Sequence, residues 1–152
     1  MNLALKVIPP IQFIVSASLM FTLSYYFPQY TFYLPYNSTI ILLLIIIAVI
    51  LGILALYDFH KHNTTHHPHT PEKTSTVVNS GIYAYSRNPM YLALVLILFA
   101  LALYFKNILC FAVIPLFVGY ITQYQIKPEE KMLDKLFPIA YQDYSQKVRR
   151  WF

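Results

Sequence analysis

Two short polar motifs stand next to long apolar runs and carry side chains that could bind a charged ligand. The first is Arg87-Asn88-Pro89, which directly precedes an uncharged stretch that continues to Phe105. Asn88 suits the N-cap of a helix, where its side chain can accept from free backbone amides, and Pro89 suits the first helical position. A helix that begins here directs its positive dipole end toward Arg87. This motif therefore predicts an anion-binding site of modest strength.

The second motif is a pair of acids, Glu129 and Glu130, which follow Lys127-Pro128 at the end of another apolar run. Acidic side chains in a first helical turn are stabilised by the helix dipole, so the pair could serve only to start a helix. The same carboxylates could bind a cationic ligand if the two helix starts meet in space. The residues alone leave both interpretations open.

All the histidines of the chain lie in one segment: His60, His62, His66, His67 and His69. Imidazoles at such spacing can bind zinc, copper or nickel. No nearby cysteine or carboxylate cluster completes a ligand set, so we favour a solvated polar loop and predict no metal site. A metal-handling membrane protein built on residues 60–69 is the alternative.

The sequence around these motifs is too apolar and too poorly charged for an ordinary water-soluble domain. Of its 152 residues, 58% are hydrophobic and 11% are charged, whereas globular proteins carry roughly 25% charged residues. A membrane-spanning helix needs roughly 17–25 apolar residues. Four stretches approach that length: about 11–27, 38–57, 89–105 and 108–126. We therefore expect one all-α integral membrane domain, residues 1–152, with four transmembrane helices and a tight hairpin between the last two.

Basic residues are distributed unevenly between the two ends of these spans. All of them except Lys106 lie in the N-terminal segment, the loop 58–88 or the tail 127–152. The positive-inside bias therefore places both termini, the loop and the tail in the cytoplasm. The net charge of +5 then faces membrane lipids, and we expect no nucleic-acid binding.

The tail has apolar residues at three- and four-residue spacing, with charged residues between them, from Met132 to Trp151. This pattern is typical of an amphipathic helix that lies on the membrane surface or against the bundle. Pro138 lacks the amide that a helix interior needs, so we expect it to divide the tail helix into two pieces.

Together these motifs resemble a known family, the integral-membrane methyltransferases related to isoprenylcysteine carboxyl methyltransferase and to phospholipid methyltransferases. The resemblance covers about residues 65–152, and the first two spans carry no signature of it. It rests on the order and spacing of a leader, a core motif, a two-span hairpin, an acid pair and a terminal motif: Val77–Tyr83, Ser86–Tyr91, 89–126, Glu129-Glu130 with Leu133, Phe137, Tyr141 and Tyr144, and Val148–Trp151.

The resemblance implies an enzyme that transfers a methyl group from S-adenosylmethionine without a Rossmann fold. It implies a cofactor site at the cytoplasmic face, between the last two spans and the flanking polar segments. The family's cofactor positions correspond to Ser75, Thr76, Val77, Val78, Tyr83, Asn88, Pro89, Met90, Tyr91 and Glu129. The candidate catalytic residues are Arg87, Glu129 and Glu130. Glu129 or Glu130 would bind the ammonium or ribose of the cofactor, and Arg87 or the first-turn amides of the third helix would bind its carboxylate.

Two positions depart from the family's pattern. The core motif often reads arginine-histidine-proline, and here Asn88 keeps a hydrogen-bonding side chain but lacks a titratable ring. Carboxyl methyltransferases place a substrate-binding arginine four residues before the acid, where this chain has Gln125. Gln125 is therefore the candidate substrate-binding residue, and an isoprenylcysteine carboxylate is disfavoured as the substrate.

The methyl acceptor and the class of protein stay open at this level. A carboxylate acceptor is already ionised at pH 7, whereas an amine must first lose a proton. We favour a small or lipid-like acceptor that enters from the bilayer, because the site lies at the interface and the bundle is too small for a large aqueous cleft. A non-catalytic scaffolding or assembly subunit is the alternative, although scaffolding does not require polar motifs at both helix starts.

Overall fold

The computed structural model describes residues 8–61 and 77–152, which fold into helices joined by short turns. The helices are α1, Pro9–Tyr26; α2, Asn37–Lys61; α3, Pro89–Phe105; α4, Ile108–Ile121; α5, Lys127–Leu136; and α6, Pro138–Lys147. Pro28–Tyr30 and Gly81–Ala84 are 3-10 turns, and the π-helical segment Thr122–Ile126 links α4 to α5. Within these ranges no strand forms beyond an isolated bridge between Thr31 and Asn107. The all-α prediction is confirmed.

α3 is the helix with the most neighbours in the bundle. It packs along α2 and also contacts α1 and α4, which pack against each other. The main core lies between α1, α3 and α4 and includes Met20, Leu98, Cys110 and Ile121, each 0% exposed. A second core, the loop core, consists of Ala55, Val78, Tyr83, Tyr141, Tyr144 and Val148.

α3 and α4 form the hairpin that the sequence predicts. Lys106 adopts a left-handed conformation, and Asn107 Oδ1 accepts a hydrogen bond of 3.0 Å from Leu109 N in the first turn of α4. Asn107 Nδ2 donates to the Phe27 carbonyl at 2.8 Å. The hairpin turn is therefore capped locally, and the end of α1 is attached to it.

Length and hydropathy identify fewer membrane spans than predicted. In the part of the chain that the structure describes, two helices are long and apolar enough to cross a membrane, Asn37–Lys61 and the continuous helix Ile108–Leu136, where four were expected. α3 falls short because it has only 17 residues. α1 has 18 residues, but they include Gln12, two prolines and several hydroxyl side chains, which lower its hydropathy.

α2 presents an almost uninterrupted apolar surface to its surroundings. Leu42, Leu43, Ile46, Ile50 and Ile53 are each between 45% and 60% exposed. A water-soluble monomer rarely leaves so large an apolar patch in contact with solvent. This surface suits contact with lipid and supports association of the protein with a membrane.

The tail folds into two helices, α5 and α6, that meet at Pro138 as predicted. Met132 and Leu133 are half-buried, while Lys131 and Asp134 are exposed. α5 is therefore amphipathic, and α6 packs against it. After α6 the chain continues in an extended conformation and returns to the start of α3.

Candidate active site

The start of α3 is held by the end of the chain. α3 begins at Pro89 as predicted, and Asn88 occupies the N-cap position, but its side chain makes no hydrogen bond to the helix. Asn88 Nδ2 instead donates to the Arg150 carbonyl at 2.9 Å, while the Asn88 N–H donates to Ser86 Oγ at 3.2 Å. The predicted capping role was wrong, because the Asn88 amide is turned toward the terminal segment and its oxygen accepts no hydrogen bond from the first turn of α3.

Glu129 lies in the first turn of α5 and faces α3. Its Oε1 accepts a hydrogen bond of 2.8 Å from the Tyr91 hydroxyl and another from Gln125 Nε2. Gln125 is only 1% exposed and lies in the π-helical segment, one turn before the acid. Among the described residues, the two side chains that donate to Glu129 both bind Oε1. Oε2 therefore retains its acceptor capacity for a ligand.

The environment of Glu129 disfavours its charge. Burial raises the pKa of Glu129 to about 7, and the hydrogen bonds from Gln125 and Tyr91 act in the opposite direction. The cause is the loss of hydration by the charged form. Glu129 lies beyond the apolar stretch that ends at Ile126. Its carboxyl therefore changes charge near neutral pH, and the charged form is the one that attracts a cation.

Glu130 is paired with two arginines. Arg150 binds it with two hydrogen bonds, Nε to Oε1 at 3.0 Å and Nη2 to Oε2 at 2.7 Å. Arg87 Nη1 lies 3.3 Å from Oε1. The hydrogen bonds to Glu130 raise the pKa of Arg150. With both oxygens engaged, Glu130 connects α5 to the start of α3 and to the chain end, and Glu129 is the acid with capacity for a ligand.

Arg87 also contacts the loop core. Its Nη1 donates to the Tyr141 hydroxyl at 3.1 Å, and its Nε is buried with no acceptor in the described part of the chain. Burial raises the pKa of Tyr141 to about 12, so this hydroxyl stays protonated at neutral pH. Buried donors are nearly always paired in native proteins, and an anionic group of a ligand would suit this Nε–H.

The predicted cofactor residues of the loop belong to the loop core. Val78 and Tyr83 are 7% and 5% exposed, and Val77 and Met90 pack against the same cluster. The Tyr83 ring lies edge-on to Phe59, with ring centroids 5.1 Å apart. The structure therefore brings the loop, the start of α3 and α6 together. Ser75 and Thr76, also predicted, lie outside the described residues.

Sequence reasoning missed Asp58 as a residue of this region. α2 continues past the predicted end of the second span near residue 57, so Asp58 lies in its last turn. The side chain is buried, and Oδ2 accepts a hydrogen bond of 2.9 Å from Ile82 N. The available signal was an acid directly after a long run without charges, 40–57.

The residues of the alternative metal site fall largely outside the described ranges: His62, His66, His67 and His69. His60 is exposed in the last turn of α2. Within residues 8–61 and 77–152, no group of three or more His, Cys, Asp or Glu side chains is arranged to hold a metal ion.

Comparison with known proteins identifies the family. A family model described as phospholipid methyltransferase matches residues 37–139, from the start of α2 into the first turn of α6. A protein of Haemophilus influenzae that is described only as uncharacterized is 45% identical over 62 residues, which make up 41% of this chain and 98% of that protein. The family match confirms the resemblance seen in the polar motifs. The chain belongs to the phospholipid methyltransferase family.

Proposed function

We propose that this protein is an integral-membrane methyltransferase that uses S-adenosylmethionine. The observation that carries the proposal is the meeting of two polar segments, the start of α3 and the first turn of α5, where Tyr91 contacts Glu129 and Arg87 contacts Glu130. These contacts lie next to long apolar helices. A scaffolding subunit does not need a half-buried acid with unused acceptor capacity at such a position.

The residues of the site fit the charges of S-adenosylmethionine, which carries a sulfonium, an ammonium and a carboxylate. Glu129 offers an anionic Oε2 to the ammonium or to a ribose hydroxyl. Arg87 offers a buried Nε–H, and guanidinium–carboxylate hydrogen bonds are among the strong ones. When bound, the cofactor would supply an electrophilic methyl group for an in-line displacement.

The contribution of this chain to such a displacement is position and electrostatics. Tyr91 and Gln125 orient the Glu129 carboxylate through their hydrogen bonds. Val78 and Tyr83 offer a buried apolar wall that excludes water from one side of the site. Ser75, Thr76, Val77, Asn88, Pro89 and Met90 are proposed as further cofactor contacts from the family resemblance.

We propose a lipid-like acceptor rather than an isoprenylcysteine carboxylate. Gln125 stands where the carboxyl methyltransferases place a substrate-binding arginine, so it offers no positive charge to a carboxylate. Its side chain is buried and engaged with Glu129. The apolar surface of α2 supports an acceptor that approaches from the bilayer.

We also propose a multi-pass arrangement with the site at the cytoplasmic face. α2 ends at the loop side of the bundle, and α4 begins at the hairpin. α3 therefore runs from the loop to the hairpin, in the opposite direction to α2 and α4, and it packs against both. The Phe27 carbonyl at the end of α1 accepts a hydrogen bond from Asn107 in that hairpin, so α1 runs in the same direction as α3. Lys and Arg residues are concentrated at the end of the bundle opposite the hairpin, and this bias supports a cytoplasmic location for the termini, the loop and the tail.

Calorimetric titration of the detergent-purified protein with S-adenosylmethionine tests this function. We expect saturable binding that Glu129→Ala weakens by roughly tenfold or more, since it removes a hydrogen-bonding charge. Asp134→Asn is the matched control, because it removes an exposed carboxylate from the same helix, and it should bind as the wild type does. Absence of binding by the wild-type protein would refute the proposal.

A further inference from the structure

Asp58, an acid in the last turn of α2, is hydrogen-bonded to the loop that precedes α3. Asp58 is 8% exposed, and its Oδ2 accepts a hydrogen bond from the backbone N–H of Ile82 at 2.9 Å, 24 residues later in the chain. A buried carboxylate is costly unless donors satisfy it. This bond therefore joins the last turn of α2 to the 3-10 turn Gly81–Ala84.

Gly81 makes this close approach possible. It has a φ of +60°, in the left-handed region that side chains disfavour. A Cβ atom built on Gly81 would overlap both carboxylate oxygens of Asp58. The backbone of the turn thus lies directly on the carboxylate, and a larger residue at position 81 would force the turn or the Asp58 carboxylate to shift.

The Gly81–Ala84 turn also places Tyr83. The Tyr83 carbonyl accepts a hydrogen bond of 2.7 Å from the Tyr144 hydroxyl in α6. The Tyr83 ring packs against Phe59, the neighbour of Asp58 in α2. α2, the loop and α6 are therefore connected through this one turn.

The same turn reaches the proposed cofactor site through the loop core. Val78 and Tyr83, two of the proposed cofactor contacts, share that core with Tyr141. Tyr141 is the hydroxyl to which Arg87 donates. Movement of the turn would therefore disturb the apolar wall of the site and also a partner of Arg87.

We infer that Asp58 is a positioning residue for cofactor binding, which acts through the Gly81–Ala84 turn on Tyr83 and Val78; the inference rests on the proposed function. Asp58 touches no ligand in this role. Its hydrogen bond to Ile82 sets the distance between α2 and the loop. The loop side of the site is thereby kept aligned with Glu129.

Titration of folded variants with S-adenosylmethionine tests this role. Asp58→Ala removes the acceptor and should weaken binding by roughly tenfold. Asp58→Asn keeps a side-chain oxygen that can accept from the Ile82 N–H, and should stay within about threefold of wild-type affinity. This rescue separates a positioning role from a loss of overall stability, which thermal melting of each variant measures independently.

Gly81→Ala provides a second test from the other side of the contact. In the wild-type background the new methyl group meets the Asp58 carboxylate, so binding should weaken by roughly tenfold. In the Asp58→Ala background that overlap is gone, and the same glycine substitution should cost clearly less. If Asp58→Ala does not fold, Gly81→Ala is measured in the wild-type background, where unchanged binding overturns the inference.

If wild type and Asp58→Ala bind S-adenosylmethionine equally, the positioning role is overturned while the proposed function stands. An equal loss in Asp58→Asn and Asp58→Ala would overturn the assignment to the Ile82 hydrogen bond. Absence of binding by the wild-type protein would overturn the proposed function, and this inference with it.

Discussion

The Tyr91 hydroxyl donates a hydrogen bond of 2.8 Å to Glu129 Oε1 and so joins the first turn of α3 to the first turn of α5. The two residues are 38 positions apart in the chain, and most of the α3–α4 hairpin lies between them. Because Tyr91 and Gln125 both bind Oε1, they fix the orientation of the carboxylate. The Glu129 carboxyl is thereby held in one orientation at the polar end of the bundle.

Cofactor affinity should depend on pH through Glu129. Burial raises the pKa of this carboxyl to about 7, and protonation removes the negative charge that attracts the ammonium of S-adenosylmethionine. Affinity should therefore fall by roughly tenfold or more as the pH is lowered from about 7.5 to about 5.5. Calorimetry across this range measures the effect. Glu129→Gln should bind weakly at every pH, and a pH dependence that persists in this variant would contradict the assignment.

Removal of the Tyr91 hydroxyl should weaken cofactor binding without unfolding the protein. Tyr91→Phe keeps the ring but deletes a hydrogen bond to a charged group, which is worth about 1.5–3 kcal/mol. Because that bond lowers the pKa of Glu129, the midpoint of the pH dependence should also move to higher pH. Tyr104→Phe, at an exposed tyrosine near the hairpin, is the control. A midpoint at the same pH in Tyr91→Phe and wild type would argue against this coupling.

The chain end should contribute to stability through Arg150. Arg150→Ala removes the two hydrogen bonds to Glu130 and should cost about 1 kcal/mol, because the guanidinium is partly exposed and its charge is screened. The expected decrease in melting temperature is roughly 2–4 °C for a chain of this size. Arg149→Ala removes an exposed side chain from the neighbouring position and should leave the melting temperature unchanged. Equal effects of the two substitutions would contradict the role of the ion pair.

The sidedness of the protein can be measured by cysteine labelling. Cys110 is the one cysteine in the sequence, and it is 0% exposed, so Cys110→Ala provides a cysteine-free background. In intact cells, a membrane-impermeant maleimide should label Tyr33→Cys, which precedes α2, but not Lys147→Cys at the end of α6. Permeabilised cells should show labelling at both sites. Labelling of Lys147→Cys in intact cells would refute the cytoplasmic assignment of the tail.

Local sequence determined the helices and several of their ends. α3 begins at Pro89 and ends at Phe105 as predicted, because proline suits a first helical position and the apolar run stops at Lys106. Pro138 separates α5 from α6 for the same local reason. The family could also be predicted from the sequence, because its motifs are short and lie in a set order along the chain.

Only the tertiary structure decided which side chains meet. Asn88 binds the Arg150 carbonyl, 62 residues away, and Glu130 binds the Arg150 guanidinium, 20 residues away. Neither pairing has a local signal, because each requires the extended chain end to lie across the start of α3. The residue types alone leave the two acids of α5 equivalent, and the family resemblance places Glu129 among the cofactor positions. Folding then engages Glu130 with arginines and leaves Glu129 with capacity for a ligand. The physical reason is that helix periodicity and capping act within a few residues, but the partners of a polar side chain depend on packing among distant elements.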